Sequence, residues 1–228
     1  MSKSVKPIKS AYVQKNIGGI ISKISLYARQ RMFRSLMEIA QPTSETSVLD
    51  VGVTCDRRQD SNFFEKLYLY PQQITAVGVE EAYFLEQDFP GLKYVKADGL
   101  SLPFPDQSFD LVVSFAVIEH VGDRRNQQKL IAELCRVGRN CYITTPNRWY
   151  PIEFHTVLPL IHWLPAKWFR WILKFLGQEF WSKEENLNLL TLNELFSFFP
   201  STTTIKNRST KLFGITSNLC LYVQNHTS

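Results

Sequence analysis

The sequence predicts an α/β domain built on a mostly parallel sheet with helices on both faces. The first observation is an alternation, since short apolar runs are separated by amphipathic or capped helical runs. The second is that some runs, such as residues 109–117 (FDLVVSFAV), are too apolar for a strand with one solvated face. The third is size, because 228 residues with 44% hydrophobic content supply the core of one domain and require no second.

The amino-terminal half predicts three helices and three strands in alternation. Residues 25–40 place apolar side chains on one helical face, and Pro42 ends that helix. The next helix covers residues 62–69, with Asn62 or Ser61 available to cap it. A short third helix ends at Pro90 and Gly91, and the three strands are residues 47–52, 74–79 and 92–97.

The carboxyl-terminal half continues the alternation and then changes. The predicted strands are residues 109–117, 140–145, 202–207 and 218–223, and the predicted helices are residues 123–137 and 191–199. A Thr-x-x-Glu capping box, Thr191 with Glu194, opens the last helix. Only a loop joins the last two strands, so we expect the sheet to finish with an antiparallel pair.

Charge is spread unevenly along the chain. The net charge is +5, but the first 37 residues carry +8 and the remainder carries −3. We therefore predict a basic arm at residues 1–24, followed by a single domain at residues 25–228. The arm is either a solvated segment, a contact for anionic lipid or nucleic acid, or an organelle transit peptide. No RNA-binding signature or finger spacing supports the nucleic-acid interpretation.

The cysteines and the apolar runs indicate the cellular compartment. The four cysteines form no CxxC pair and have no zinc spacing, so we predict reduced thiols, a cytoplasmic location and no metal site. No run of 18 apolar residues is present, so no membrane-spanning segment is predicted.

Three acids, Asp50, Glu80 and Asp98, stand at the ends of three successive predicted strands. Open α/β sheets bind ligands at this edge, where a carboxylate can accept both hydroxyls of a ribose or a base amine. Each acid taken singly could equally cap backbone amides or start a helix. The three together favour a nucleotide-like ligand, although the G-x-G-x-x-G of a nicotinamide dehydrogenase is absent.

Four motifs carry a family resemblance: VLDVG (48–52), AVGVE (76–80), KADGLSLPFPDQSFDLVVSFAVIEHV (96–121) and YITTPNRW (142–149). Together they resemble the class I S-adenosylmethionine-dependent methyltransferases, of the small-molecule type that includes ubiquinone-biosynthesis C-methyltransferases. The resemblance covers about residues 45–147. It implies a Rossmann-like, seven-stranded sheet with a final antiparallel strand, and S-adenosyl-L-methionine as the cofactor.

The resemblance also implies roles for individual residues. Asp50 and Gly52 would shape the methionine pocket, Glu80 would bind the ribose, and Asp98 the adenine amino group. The implied cofactor-binding set is Asp50, Gly52, Glu80, Asp98, Gly99, Leu100 and Phe115.

The loop after the first strand departs from that family. Its usual acid-x-Gly-x-Gly-x-Gly pattern keeps only Gly52, with Thr54 and Asp56 at the later glycine positions. The polar run 54–62 (TCDRRQDSN) either replaces backbone contacts with side-chain hydrogen bonds or marks a protein that has lost catalysis. The retained ribose and adenine acids favour cofactor binding.

Residues 149–181 hold all five tryptophans of the chain. We predict a helical cap insertion at about 149–185 that covers the substrate site. A helical wheel puts the basic residues on one stripe (Lys167, Arg170 and Lys174) and the apolar residues on the other side (Trp168, Trp171, Ile172, Phe175 and Leu176). Such a helix either packs over the mouth of the site with its lysines in water, or lies against an anionic membrane.

The predicted reaction is methyl transfer to a small-molecule, lipid or glycan-linked acceptor, at oxygen. An acceptor that loses a proton needs a base, and Glu119, His120 and His155 are the candidates. His162 is expected in the core, and Asp110 is expected to be structural. Two alternatives are a catalytically inactive protein with the same cleft, and a nucleic-acid methyltransferase that uses the basic arm.

Overall fold

The computed structural model describes residues 19–58 and 61–225. The helices within these ranges are α1 (Gly19–Ala40), α2 (Phe63–Leu67), α3 (Phe84–Asp88), α4 (Arg124–Val137), α5 (Ala166–Phe175) and α6 (Leu192–Phe196). The strands are β1 (Val48–Val51), β2 (Ile74–Gly78), β3 (Lys93–Lys96), β4 (Phe109–Phe115), β5 (Gly138–Pro146), β6 (Ile152–Glu153), β7 (Leu158–Pro159), β8 (Thr204–Asn207), β9 (Thr210–Leu212) and β10 (Ile215–Gln224).

The central sheet has the order β3-β2-β1-β4-β5-β10-β8, with β9 paired to β10. Neighbouring strands from β3 to β5 are parallel, whereas β10 runs antiparallel to both β5 and β8. The predicted fold class is confirmed, and each of the seven predicted strands has a counterpart. The addition is β9, which a two-residue turn at Phe213 and Gly214 joins to β10; both turn residues have positive φ, as tight hairpins require.

Helices cover both faces of this sheet because its strands are apolar on both sides. On one face, α1, α2 and α3 contribute Leu36, Phe64 and Leu85 to a core with Ile74 and Tyr142. The opposite core contains Leu130, Ile131, Leu134 and Val137 from α4 and Leu195 from α6. The sheet is therefore the shared middle layer of two cores.

Two predicted helix starts are confirmed and two others need correction. Asp123 caps α4, and the Thr191–Glu194 capping box opens α6. The predicted side-chain cap at Asn62 is wrong, because its amide bonds to the preceding loop instead. Helix α1 begins at Gly19, so residues 19–24 of the predicted arm are helical, while residues 1–18 lie outside the described residues.

The insertion after β5 forms a small unit with its own apolar contacts. It contains the β6–β7 hairpin and α5, whose Phe169 and Leu173 pack against Leu187 and Leu189. Among the helices of the described ranges, none is long and apolar enough to cross a bilayer.

Candidate functional site

A cavity of about 400 Å³ lies at the carboxyl ends of β1, β2 and β4. All residues of the predicted cofactor-binding set line it, namely Asp50, Gly52, Glu80, Asp98, Gly99, Leu100 and Phe115. His120 and His155 line the same cavity, whereas Glu119 is fully buried and does not reach its wall. The parallel strands thus gather side chains that are far apart in the sequence at one edge of the sheet.

Glu80 lies directly after β2 and is half-buried. Its Oε2 accepts a hydrogen bond from the Cys55 backbone N–H at 3.1 Å, which ties the loop after β1 to the end of β2. Burial first, and then the Glu80 carboxylate, raise the pKa of the Cys55 thiol to about 11, so that thiol stays protonated at neutral pH. Glu80 therefore has a carboxylate at the cavity whose orientation is held by the loop.

Asp98 is exposed at the opposite wall of the cavity. Its Oδ1 accepts the Leu100 backbone N–H at 2.9 Å, which forms the turn after β3. The proline-containing loop that follows is anchored by α4, since Arg136 donates to the carbonyls of Leu102 and Phe104 at 3.0 and 2.8 Å. Glu133 accepts the Leu102 N–H at 2.8 Å. Sequence reasoning missed this Glu133–Arg136 anchor.

Side-chain hydrogen bonds organise the loop between β1 and α2. Asn62 accepts the Thr54 N–H and donates to the Thr54 carbonyl, both at 2.9 Å, and also donates to the Asp56 carbonyl at 3.1 Å. Asp56 in turn accepts the Arg58 N–H at 2.9 Å. These bonds match the interpretation in which polar side chains replace the later glycines.

Gly52 is the position in this loop where a glycine is required. Its φ is +117°, and a Cβ placed there would lie 2.1 Å from Cγ2 of Val117. The chain after β1 therefore passes directly beside the chain after β4, and both segments line the cavity.

A second carboxyl group accompanies Asp50. Asp50 and Glu65 are 6% and 2% exposed, and both oxygens of Glu65 lack a hydrogen-bond partner. Burial first, and then the charge of Glu65, raise the pKa of Asp50 well above its ordinary value; burial likewise raises the pKa of Glu65. The pair therefore favours retaining a proton beside the cavity. Glu65 lies in an amphipathic helical run, and nothing in the sequence marked it as part of the site.

Glu119, His120 and His155 form a cluster at the far end of the cavity. Residues 118–120 form one helical turn after β4, and His155 follows the short strand β6. The His120 and His155 rings lie edge to face with centroids 4.7 Å apart, and Trp181 lies beside both. The structure thus brings together all three predicted catalytic candidates.

Hydrogen bonds orient each member of this cluster. Nδ1 of His120 lies 2.6 Å from the Asn186 carbonyl, and Nδ1 of His155 lies 2.7 Å from Oε1 of Glu153. Thr145 donates its hydroxyl to Oε2 of Glu119 at 2.9 Å. Oε1 of Glu119 is buried without a hydrogen-bond partner and lies 3.9 Å from Nε2 of His120.

Burial separates the pKa values of these groups. Burial raises the pKa of Glu119 to about 7. Burial, and then His155, lower the pKa of His120 to about 3, so that His120 is neutral at neutral pH. Burial alone would lower the pKa of His155, but Glu153 outweighs it and the pKa is raised. His155 in turn holds the pKa of Glu153 at about 2 against the effect of burial.

Sequence reasoning found the ionisable members of the cluster but not their partners. Glu153 is the one partner that could have been found from the sequence, because it lies two residues before His155. Thr145 and Asn186 come from β5 and from the segment after α5, and no local pattern marks either one.

Helix α5 does not contribute to the cavity lining. The cap over the mouth therefore stays a prediction for α5, whereas His155 and Glu185 of the insertion do line the cavity. Phe169 and Leu173 are buried, whereas Trp168, Trp171 and Phe175 are 60%, 58% and 78% exposed. In the basic stripe, Lys167 and Lys174 are exposed, and Arg170 pairs with Glu184 at 3.6 Å.

Two residues expected outside the site are indeed structural. Asp110 accepts bonds from the backbone N–H and hydroxyl of Ser47 and from Arg139, which joins the starts of β4 and β1. His162 is buried, with Nε2 at 2.8 Å from the Tyr150 carbonyl.

Comparison with known proteins agrees with this geometry. Residues 61–140 match the family described as a methyltransferase domain. A probable S-adenosylmethionine-dependent methyltransferase of Mycobacterium tuberculosis (strain H37Rv) is 35% identical over 82 residues, which are 34% of this chain and 29% of that protein. The chain therefore matches less than a third of the length of that relative.

Solved structures extend the likeness to the whole fold. The magnesium protoporphyrin IX methyltransferase of Synechocystis PCC 6803, with bound S-adenosylhomocysteine, superposes with a TM-score of 0.56 at 11% identity, covering 94% of this chain and 91% of that one. The [4+2]-cyclase SpnF superposes with a TM-score of 0.51 at 15% identity, covering 80% and 61%. Residues 61–140 thus match a methyltransferase domain, and the fold of the chain is the one seen in solved methyltransferase structures.

Proposed function

We propose that the protein transfers a methyl group from S-adenosyl-L-methionine to an oxygen atom of a small-molecule, lipid or glycan-linked acceptor. The observation that carries this proposal is one cavity lined both by Glu80 and Asp98 and by His120 and His155. A cofactor cleft that opens onto ionisable side chains supports a reaction, and not binding alone.

The donor set of the cavity fits this cofactor. Glu80 offers a carboxylate for two neighbouring hydroxyls, and Asp98 offers one for an amino group. Phe115, which packs edge-on against Phe63 with centroids 4.7 Å apart, presents an aromatic side chain suited to a sulfonium cation. The volume of about 400 Å³ lies in the range of small-molecule sites.

When bound, the cofactor supplies a methyl group on a positively charged sulfur, which an acceptor oxygen takes by in-line displacement while the acceptor loses its proton. The protein positions the two reactants and excludes water, which lowers the entropic part of the barrier. His120 and His155, which line the cavity, hold the acceptor hydroxyl, and the cluster that they form with the buried Glu119 receives its proton. Trp181 supplies an apolar wall beside both imidazoles.

The alternatives differ in what supports them. For the catalytically inactive binding protein, the supporting observation is that the [4+2]-cyclase SpnF has the same fold, so the fold alone does not require methyl transfer. The nucleic-acid alternative depends mainly on the basic residues 1–18, which lie outside the described residues. No observation on the described residues favours it.

An anionic membrane is the partner that α5 fits best. Trp168, Trp171 and Phe175 are exposed on one side of the helix, and Lys167 and Lys174 are exposed nearby. Aromatic rings at the headgroup level together with lysines are typical of interfacial helices. None of the four cysteines, all of which lie in the described ranges, forms a disulfide, which suits a reducing compartment such as the cytoplasm.

Calorimetric titration with S-adenosylhomocysteine tests the cleft. We expect the parent to bind, and Glu80→Gln and Asp98→Asn each to weaken binding about 10-fold or more, the scale of a lost charge-assisted hydrogen bond. The matched control is Glu81→Gln, because Glu81 is exposed, pairs with Lys96 at 3.0 Å and does not line the cavity. Equal affinity in all four proteins would contradict the proposed cleft.

Transfer itself is tested with methyl-labelled cofactor and a cellular lipid and metabolite extract. We expect label to enter an acceptor, and the double variant with His120→Ala and His155→Ala to lose most of that incorporation. Cofactor binding without any incorporation across the extract would favour the inactive binding protein.

A further inference from the structure

The cluster at the end of β4 has the composition of a metal site. Glu119, His120 and His155 each offer one ligand atom, and these atoms lie within 4.8 Å of one another. Ligands around one cation at about 2.1 Å stand roughly 3.4 Å apart, so a closure of at most about 1.4 Å would complete the coordination. Two imidazoles and one carboxylate on one side of a cation are a recurrent protein metal site.

A second observation points to a missing ligand in this cluster. Glu119 is fully buried, and its Oε1 has no hydrogen-bond partner while Oε2 is held by Thr145. A buried carboxylate oxygen without a partner is costly, and a cation would offset that cost. This oxygen lies 3.9 Å from Nε2 of His120.

The outer contacts also have the form that metal sites use. Nδ1 of His155 bonds to the Glu153 carboxylate, and Nδ1 of His120 bonds to the Asn186 carbonyl. Such bonds fix the ring orientation and direct Nε2 to the ligand position. The two histidines thus have the carboxylate and carbonyl partners that are typical of metal-ligating imidazoles.

We propose that Glu119, His120 and His155 bind one divalent transition-metal cation, of the zinc or cobalt type, at the acceptor end of the cleft. Nitrogen ligands favour these ions over Mg²⁺ and Ca²⁺, which prefer all-oxygen sites. Three protein ligands leave a position open toward the cavity, which His120 and His155 line. That position takes an acceptor oxygen, such as a hydroxyl or one of a vicinal pair.

The part played by the cation in turnover rests on the proposed methyl transfer, whereas metal binding does not. A cation on the acceptor hydroxyl would lower its pKa and hold the oxygen in line with the methyl group. A negative cofactor titration would therefore contradict the proposed methyl transfer, whereas a negative metal titration would contradict the metal site alone.

The test uses the full-length protein after treatment with a chelator. Co²⁺ is added with visible absorption as the readout, and Zn²⁺ and Mg²⁺ are added separately in a calorimeter. We expect one equivalent of Co²⁺ or Zn²⁺ to bind, and Mg²⁺ to bind at least 10-fold more weakly. Glu119→Gln and His155→Gln should each weaken Zn²⁺ binding by at least 10-fold, and Glu153→Gln by about 10- to 100-fold through the outer shell.

The matched control is His162→Gln, since His162 is buried in the insertion and bonds to a carbonyl without belonging to the cluster. We expect its Zn²⁺ affinity to equal that of the parent. Far-UV circular dichroism checks that each variant is folded. If Glu119→Gln or His155→Gln is not folded, Glu153→Gln, which leaves all three ligands in place, tests the site. The proposal is overturned if the parent binds neither Co²⁺ nor Zn²⁺, or if the cluster variants bind Zn²⁺ as tightly as the control.

Discussion

Asp50 and Glu65 place two carboxyl groups in an environment that disfavours their charge. Asp50 comes from β1 and Glu65 from α2, and both are almost fully buried. No nearby lysine or arginine lowers the pKa of either group enough to offset burial, so the pKa values of both Asp50 and Glu65 are raised. A strained carboxyl pair of this kind suits a site that receives a positively charged amino group, because the ligand would relieve the repulsion.

The first prediction concerns Glu65→Gln. Folding raises the pKa of Glu65 above its ordinary value of 4.5, so the carboxyl stabilises the fold fully below that value, and this contribution is lost as pH rises through the folded pKa. The variant cannot ionise, and its amide can donate to Asp50. We expect its free energy of unfolding to exceed that of the parent at pH 8, where ionisation of the buried Glu65 carboxyl costs the parent stability. At pH 4 this advantage should disappear.

Urea denaturation at pH 4 and pH 8 measures the difference. Glu45→Gln serves as the control, because Glu45 is exposed in the turn before β1. A difference between parent and Glu65→Gln that stays constant with pH would rule out the raised pKa as its cause.

At the scale of elements, helix α5 has a buried side that packs within the insertion and an exposed side that carries tryptophans. Its buried residues hold the insertion together through Phe169 and Leu173, and its exposed tryptophans make no contribution to the cavity. An exposed apolar face of this size, rimmed by lysines, is typical of a surface that meets a membrane or a partner. The charge of the rim favours anionic lipid.

The second prediction therefore concerns the double variant with Trp168→Ser and Trp171→Ser. We expect the parent to float with vesicles containing phosphatidylglycerol at low salt, and the variant to partition at least 10-fold less because it loses the apolar contact. Thermal stability should change little, since the two side chains are 60% and 58% exposed.

Phe213→Ser is the matched control, because Phe213 is 84% exposed on the β9–β10 turn, outside the insertion. It should bind vesicles as the parent does. Membrane binding through α5 would be contradicted if the parent does not float with the vesicles at low salt, or if the tryptophan variant floats as well as the parent.

For the whole molecule, one sheet joins two cores. Leu36 of α1 and Leu134 of α4 lie on opposite faces, and both are fully buried. Because β1 and β4 pack against both layers, loss of one core should weaken the sheet that supports the other. The prediction of one domain over residues 25–228 thus has a thermodynamic test.

The third prediction uses Leu36→Ala and Leu134→Ala. Each change should lower the free energy of unfolding by about 2 to 5 kcal/mol, the cost of a cavity in a packed core. Each should also shift one cooperative transition, monitored in parallel by tryptophan fluorescence and far-UV circular dichroism. Two separate transitions in either variant would show that the faces unfold independently and would contradict the one-domain prediction.

The shared fold leaves the chemistry open at this same scale. A methyltransferase with bound S-adenosylhomocysteine and a [4+2]-cyclase both superpose on this chain at TM-scores above 0.5. Function therefore has to be argued from the site and not from the sheet. In this protein the informative part is the cluster of Glu119, His120 and His155.

Sequence alone determined the sheet and the cofactor edge. Short runs predicted each of the seven strands in the order β3-β2-β1-β4-β5-β10-β8. The signal is clearest for strands that are buried on both faces, such as β1 and β4, and weaker for β3 and β8 at the sheet edges. Asp50 lies near the carboxyl end of β1, and Glu80 and Asp98 lie two residues after β2 and β3, so the parallel topology was enough to predict that they share one edge. The β9 strand escaped prediction because its three residues are too short for a periodic pattern.

Only the tertiary structure decided which side chains meet across long sequence separations. Glu65 reaches Asp50, Asn62 closes its own loop instead of capping α2, and Glu153 and Asn186 orient the two histidines. None of these contacts leaves a periodic signal, because each depends on how a loop or an insertion folds back onto the sheet. For α5, amphipathicity predicted that one face is buried, but packing against Leu187 and Leu189 decided which face that is and left the tryptophans exposed.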